Sequence, residues 1–201
     1  MAILFILCVY GLLAIGDSLH EKLSVEPFQT SGIQKPSRKF SWKNCESFDS
    51  AMTFLHVDIS PDPLILTGVN VTIKVMAVVN LTVELGTDGN QIEGDLSVRL
   101  KTDKGYTEVC EIVDETICHY NDICRYLEKE CRFPFCKCPL KPRVYQIPNL
   151  SFHPNSLPFL LRGAFDTTIF IKQRGKYIGC LDLNFCVTCD FNELHSVRSR
   201  V

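Results

Sequence analysis

The chain has 201 residues, 46% of them hydrophobic, and a formal net charge of −2. That length suits one domain plus extensions, and that apolar share excludes disorder for the body of the chain. The near-neutral balance excludes a basic field for nucleic acid and any strong steering of a charged ligand.

Residues 1–16, MAILFILCVYGLLAIG, are apolar and uncharged. A spanning helix needs about 20 residues, so the run reads as a signal peptide, and a short membrane anchor is the alternative. Ala14 and Gly16 are spaced for cleavage near Gly16–Asp17. Residues 17–39 hold Pro27, Gly32 and Pro36 and read as a flexible leader. The folded domain is expected over 40–187, and 188–201 reads as a loose tail. A chain with this start enters the secretory pathway, so the expected location is secreted or lysosomal.

The first strand pattern is MTFLHVDI (52–59), which puts Leu55, Val57 and Ile59 on one face. The longest is VNVTIKVMAVVNLTVEL (69–85). Every odd position there is apolar, including Val71, Ile73, Val75 and Leu81, while Asn70, Thr72, Lys74, Asn80, Thr82 and Glu84 fall on even ones. Period two marks a strand with one buried face. At about 3.3 Å per residue the run exceeds an ordinary strand, so a bulge or break is expected near Met76–Val78. Asn70 and Asn80 open N-x-S/T glycosylation sequons, as does Asn149. Glycans need water, so the even face points out and the odd face lines an interior.

DLSVRLK (95–101) turns Leu96, Val98 and Leu100 inward and Arg99 and Lys101 outward. HYNDICRYLEKE (119–130) reads as a short helix. FDTTIFIK (165–172), with Ile169 inward, and KYIGCLDLNFCV (176–187) form a hairpin about Arg174-Gly175. In its second strand Tyr177, Leu181, Leu183, Phe185 and Val187 share a face. The fold class is all-β: an antiparallel cup or sandwich with one short helix.

Eleven cysteines are present, and Cys8 leaves with the signal. An even remainder in a secreted chain reads as a disulfide framework whose pairing spacing alone cannot settle. The pair in CVTC (186–189) would need a helix N-terminus to act as a redox centre, and it closes a strand instead. A local disulfide or a tail link is favoured over redox or zinc chemistry. No G-x-S-x-G elbow and no H-E-x-x-H occurs, and His20, His56, His119, His153 and His195 are scattered. Asp114, Glu115 and Asp182 form no recognisable acid/base pair. No catalytic residue, metal site or cofactor is expected.

The stretches FSWKNC (40–45), SPDPLILTGVNVT (60–72), FCKCPLK (135–141), YQIP (145–148), LPFLLRG (157–163) and GKYIGC (175–180) carry a family likeness in their order and in the cysteine string between them. Over about residues 40 to 187 the chain resembles the ganglioside-activator branch of the lipid-recognition β-cup (ML-like) family, lysosomal cofactors of a β-hexosaminidase. The resemblance implies a disulfide-stapled cup with a lipid-sized apolar cavity. It implies Cys45–Cys180, Cys110–Cys118, Cys124–Cys138 and Cys131–Cys136 pairings, with Trp42 packing beside the first. It implies a non-catalytic protein that lifts a lipid or glycolipid from a membrane and presents it to a hydrolase or to another membrane. The partners are then the lipid, a transient membrane surface and a candidate glycosidase, with no nucleic acid.

On this reading the cavity is lined by Leu55, Val57, Val71, Ile73, Val75, Leu81, Leu96, Val98, Ile169, Leu181 and Leu183. Leu157, Phe159, Leu160 and Leu161 form an apolar run that is either a membrane-contact rim or a core segment, and Tyr106 is a second rim candidate. Shorter cysteine intervals, an insertion at 86–94, and Cys186 and Cys189 depart from the ganglioside activators and leave the lipid and the hydrolase open. The alternatives are a secreted lipid sensor acting through a receptor and, third, a lipid esterase.

Overall fold

Alternating apolar side chains become strands wherever the period-two pattern is long enough to bury one face. The computed structural model describes residues 39–46, 50–64, 72–102, 105–110, 118–130, 137–152, 163–187 and 189, with the backbone alone at 126, 128–130 and 148–152. The stretches expected to be a signal peptide (1–16), a flexible leader (17–39, all but residue 39) and a loose tail (188–201, all but residue 189) lie outside the described residues. So do Asn70, Val71, Cys131, Cys136, Leu157, Phe159, Leu160 and Leu161.

The elements run β1 (Ser41–Asn44), β2 (Met52–Ser60), β3 (Ile73–Leu81), β4 (Ile92–Thr102), β5 (Gly105–Glu108), β6 (His119–Tyr120), α1 (Ile123–Glu130), β7 (Arg143–Phe152), β8 (Gly163–Gln173) and β9 (Lys176–Val187). Two antiparallel sheets result. The larger has the order β1-β9-β8-β4-β5, with β6 also on β4, and the smaller is β2-β3-β7. Arg174 and Gly175 both take positive φ, 52° and 69°, the signature of the tight turn that joins β8 to β9.

In β3 the odd residues Ile73, Val75, Ala77, Val79 and Leu81 are buried, and the even ones are exposed or half-buried. The expected interruption at Met76–Val78 leaves β3 a continuous strand. It falls on the neighbour: Val75 pairs with Leu150 and Ala77 with Ile147, so β7 inserts Pro148 and Asn149 opposite Met76. Proline cannot donate to a ladder, and a bulge on a sheet edge is where a strand tolerates one. The ladder ends sooner than expected, although Leu85 at the end of the run is buried in the core as the odd-face pattern requires. The chain leaves the ladder after Leu81, and Val83 is exposed.

Two other expectations are corrected by bulges. Phe54 pairs with Val79 and His56 with Val78, so Leu55 is the extra residue of β2. The parity flips there: Met52 and Phe54 face inward before it, Val57 and Ile59 after it, and Leu55 stands 53% exposed. Leu55 therefore does not line the interior. In the same way Ile171 pairs with Gly179 and Lys172 with Tyr177, which makes Ile178 the extra residue and turns Tyr177 outward.

The helix is shorter than 119–130, because His119 and Tyr120 pair with Asp95 and Gly94 as a strand. Asp122 caps it, its Oδ1 accepting from Arg125 N–H at 3.3 Å. Ile123 and Leu127, one turn apart, are its buried stripe. Cys124–Cys138 ties the helix to the approach to β7. Gly86 lies against that bond at φ 71°, where a Cβ would sit 2.5 Å from Cys124 Sγ and 2.9 Å from Cys138 Sγ. Only glycine fits.

Candidate functional site

The inner faces of the two sheets meet in one apolar cluster. From the smaller sheet come Val57, Ile59, Ile73, Val75, Val79, Leu81, Tyr145 and Ile147, and from the larger Leu96, Val98, Phe165, Ile169, Leu181, Leu183 and Phe185. Nine residues expected to line an interior are thus brought to facing sides of one space: Val57, Ile73, Val75, Leu81, Leu96, Val98, Ile169, Leu181 and Leu183. They are in contact rather than held apart. Ile73, Val75 and Ile169 are 0% exposed and Leu181 and Leu183 1%, so no water-sized gap reaches them.

Sequence reasoning passed over Met52, Phe54, Tyr145, Ile147 and Phe165, while Phe185 lies where its shared face with Leu181 and Leu183 put it. The first two follow from the parity switch inside MTFLHVDI, which is itself a bulge signal. The Phe165 and Phe185 rings form a cross-strand pair with centroids 5.5 Å apart. Trp42 pairs with Leu183 and packs on the cluster's edge.

The sheets are joined along one side. β2 lies against β1 and β9. Asn44 Nδ2 donates to the Phe54 carbonyl at 2.8 Å, and Phe54 N–H donates to Asn44 Oδ1 at 2.9 Å, so one amide side chain stands in for a strand neighbour next to the bulge. Leu64 N–H donates to the Cys186 carbonyl at 2.8 Å. Cys45 is bonded to Cys180 across 135 residues, which holds the first strand to the last. Cys110 is bonded to Cys118 and Cys186 to Cys189.

The outer face of the larger sheet carries a polar cluster that no motif announced. Asp95 on β4 accepts from His119 Nδ1 on β6 and from Lys172 Nζ on β8. His119 Nε2 meets Asn121 Oδ1 at 2.7 Å, so both ring nitrogens face acceptors and the doubly protonated ring is favoured. Its pKa is raised above 6.5, first by the hydrogen bond to Asp95. Asp95 feels desolvation that opposes its charge, yet the bonds from Lys172 and His119 outweigh it and hold its pKa below 3.8. Lys172 is raised by the same carboxylate, and its ammonium lies 4.9 Å from the Tyr177 ring centroid. The cluster pins β6 and β8 to β4. Its groups are mutually satisfied, as in a structural clasp.

Tyr106 is 48% exposed on β5, with the Arg99 guanidinium 5.3 Å from its ring centroid. Asn80 lies on the outer face of β3, half-buried, paired with Thr53 and Val144. Asn149 is in the β7 backbone. A shallow depression of ≈ 220 Å³ is lined by Arg143, Val144, Tyr145 and Gln146 on β7. It is smaller than the 300–1,000 Å³ of ordinary ligand pockets. Among the described residues no group of three or more His, Cys, Asp or Glu could hold a metal, and no helix is long and apolar enough to cross a membrane.

The family model for the ML domain matches residues 39–187. The chain belongs to the ML-domain family. This is the lipid-recognition family of the sequence resemblance, and lipid binding in general is the function that membership carries. No curated protein matches the chain. Among solved structures, a Niemann-Pick type C2 protein from Japanese carpenter ant is similar at 14% identity and a TM-score of 0.43, covering 74% of this chain and 99% of that one.

Proposed function

We propose that this ML domain is a non-catalytic lipid carrier that takes a lipid or glycolipid from a membrane and delivers it to a hydrolase or to a second membrane. The observation that carries the reading is the facing of two apolar sheet surfaces joined along one side, within a family of lipid-recognition domains. Lipid tails would enter by parting the inner faces around Val75, Val98, Ile169, Leu181 and Leu183.

The energetics allow this. Each buried CH₂ is worth about 0.8 kcal/mol, and a tail moving from bilayer to protein exchanges one apolar medium for another. Where the sheets part, dispersion attraction between facing side chains gives way to the same attraction between side chains and tails. The smaller sheet, tied along β2, is the part that swings. The apolar run Leu157, Phe159, Leu160 and Leu161, which precedes β8 in sequence, together with Tyr106, forms the membrane-facing rim in this reading. The four disulfides among the described residues suit an oxidising compartment, secreted or lysosomal. Sugars on Asn70, Asn80 and Asn149 would decorate the outside.

The test is mass spectrometry of organic extracts from natively purified protein, paired with fluorescent-lipid transfer between vesicles. Co-purified two-chain lipid and protein-dependent transfer are expected. Lipid-free preparations that also fail to take up lipid from vesicles would overturn the reading.

A further inference from the structure

The inner face of β8 is apolar except at one position. Thr167 is 2% exposed, and among the described residues its Oγ1 is the one buried side-chain polar atom without a hydrogen-bond partner. Its ladder neighbours are Val98 on one side and Leu183 on the other, both buried and neither with a side chain able to accept. A buried hydroxyl left unpaired is costly, and valine would fill nearly the same space without that cost. An orphan polar atom inside a native interior calls for an explanation, and few polar groups convergent on an apolar site are what set ligand specificity.

We propose that Thr167 is a specificity determinant for the lipid: its hydroxyl selects ligands that carry an oxygen on the inserted hydrocarbon, such as a hydroxyl or carbonyl along an acyl tail. This rests on the lipid-carrier reading above and deepens it. Position favours a tail oxygen over the headgroup linkage. Thr167 is four residues from Gly163 and six from Gln173, mid-strand. At about 3.3 Å per residue that is roughly 13 Å or more from either end of β8 along the strand. A head or linker near water does not reach it, whereas a tail does. Both partners gain. The threonine hydroxyl finds an acceptor, and the tail oxygen avoids burial without a hydrogen bond.

The experiment uses the full secreted chain and distearoyl phosphatidylcholine, with a series in which one stearoyl tail carries a single hydroxyl moved along its length. Wild-type protein should bind one position in the series about 2- to 13-fold more tightly than the unsubstituted lipid, the range of one net hydrogen bond. Thr167→Val should bind the unsubstituted lipid at least as well, melt no lower, and lose that optimum. Thr167→Ser should keep it. The inference is overturned if the wild type binds the unsubstituted lipid best with no favoured position, or if Thr167→Val keeps the wild-type profile. If neither protein takes up even the unsubstituted lipid, the carrier reading itself fails, and the inference with it.

Discussion

The two sheets are made from the same alternating pattern but are secured in different ways. The larger is cross-linked by side chains. Asp95 takes hydrogen bonds from His119 and Lys172, the Thr168 hydroxyl donates to Asp182 at 2.8 Å, and Glu108 accepts from Val98 N–H at 2.8 Å and from the Ser97 hydroxyl at 3.1 Å. A disulfide joins β1 to β9 within it. Among the described residues the smaller sheet is held by its two ladders, its apolar face, the Asn44 and Leu64 links of β2 and the turn after it, and, at the approach to β7, the Cys124–Cys138 bond and the Leu85–Leu140 bridge. The larger sheet is thus the more cross-linked frame, and the smaller is the leaf that the proposed lipid entry would move. A lipid carrier needs one part that stays in shape and one that yields.

The sharpest way to break that contrast is to cut the frame. Replacing Cys45 and Cys180 together with alanine removes a closure over 135 residues. Chain entropy values such a closure at roughly 5 kcal/mol. Chemical denaturation should show a loss of that order, and a loss under about 1 kcal/mol would deny the staple its role.

Gly86 offers a controlled comparison with Gly89. Both have positive φ, 71° and 75°, but a Cβ at Gly89 meets nothing within 4 Å. Gly89→Ala should cost about 1 kcal/mol of backbone strain, and Gly86→Ala visibly more, about 2–4 kcal/mol, because it also displaces the Cys124–Cys138 bond. Equal melting-temperature shifts for the two variants would show that the close approach costs nothing.

The hinge side is probed by Asn44→Ala, which leaves the Phe54 N–H and carbonyl without their amide partner. A loss of about 1–3 kcal/mol is expected. If the leaf swings on this side, lipid uptake should speed up as stability falls. Slower or unchanged uptake in a stopped-flow vesicle assay would place the moving part elsewhere.

The smallest effect is that of pH on the clasp. His119 has a raised pKa, so its contribution is fully present below about pH 6.5 and is lost as pH rises through its higher folded value. Asp95 has a lowered pKa, so its contribution is present above 3.8 and is lost as pH falls through its lower folded value. The imidazole is about half-exposed, which keeps the His119 share under about 1 kcal/mol. Melting curves across neutral pH should fall gently with rising pH in the wild type and flatten in His119→Asn. An identical slope in both would exclude the clasp as its source.

Much of this was legible in the residues. The odd-position run in VNVTIKVMAVVNLTVEL named the buried face of β3 through Leu81, because one solvated and one buried side force period two. Arg174-Gly175 announced its turn. Leu55 and Tyr177 were misplaced for one shared reason. A bulge shifts parity by one residue, and its position depends on the partner strand, as with Val78 and Val79 opposite β2. β7 was hidden by Pro148, which local rules count against a strand and which an edge bulge permits. The Asp95, His119 and Lys172 cluster had no local signature, since its members come from three strands.

By itself, then, the amino-acid order determined the class of fold, the apolar and polar sides of the long strands, and the family likeness, all of which depend on near neighbours along the chain. Only the tertiary structure decided which strands pair, where the bulges fall, that the facing residues touch, and that Thr167 lies among them unpaired. Those outcomes depend on contacts between residues far apart in sequence, and no local pattern encodes them.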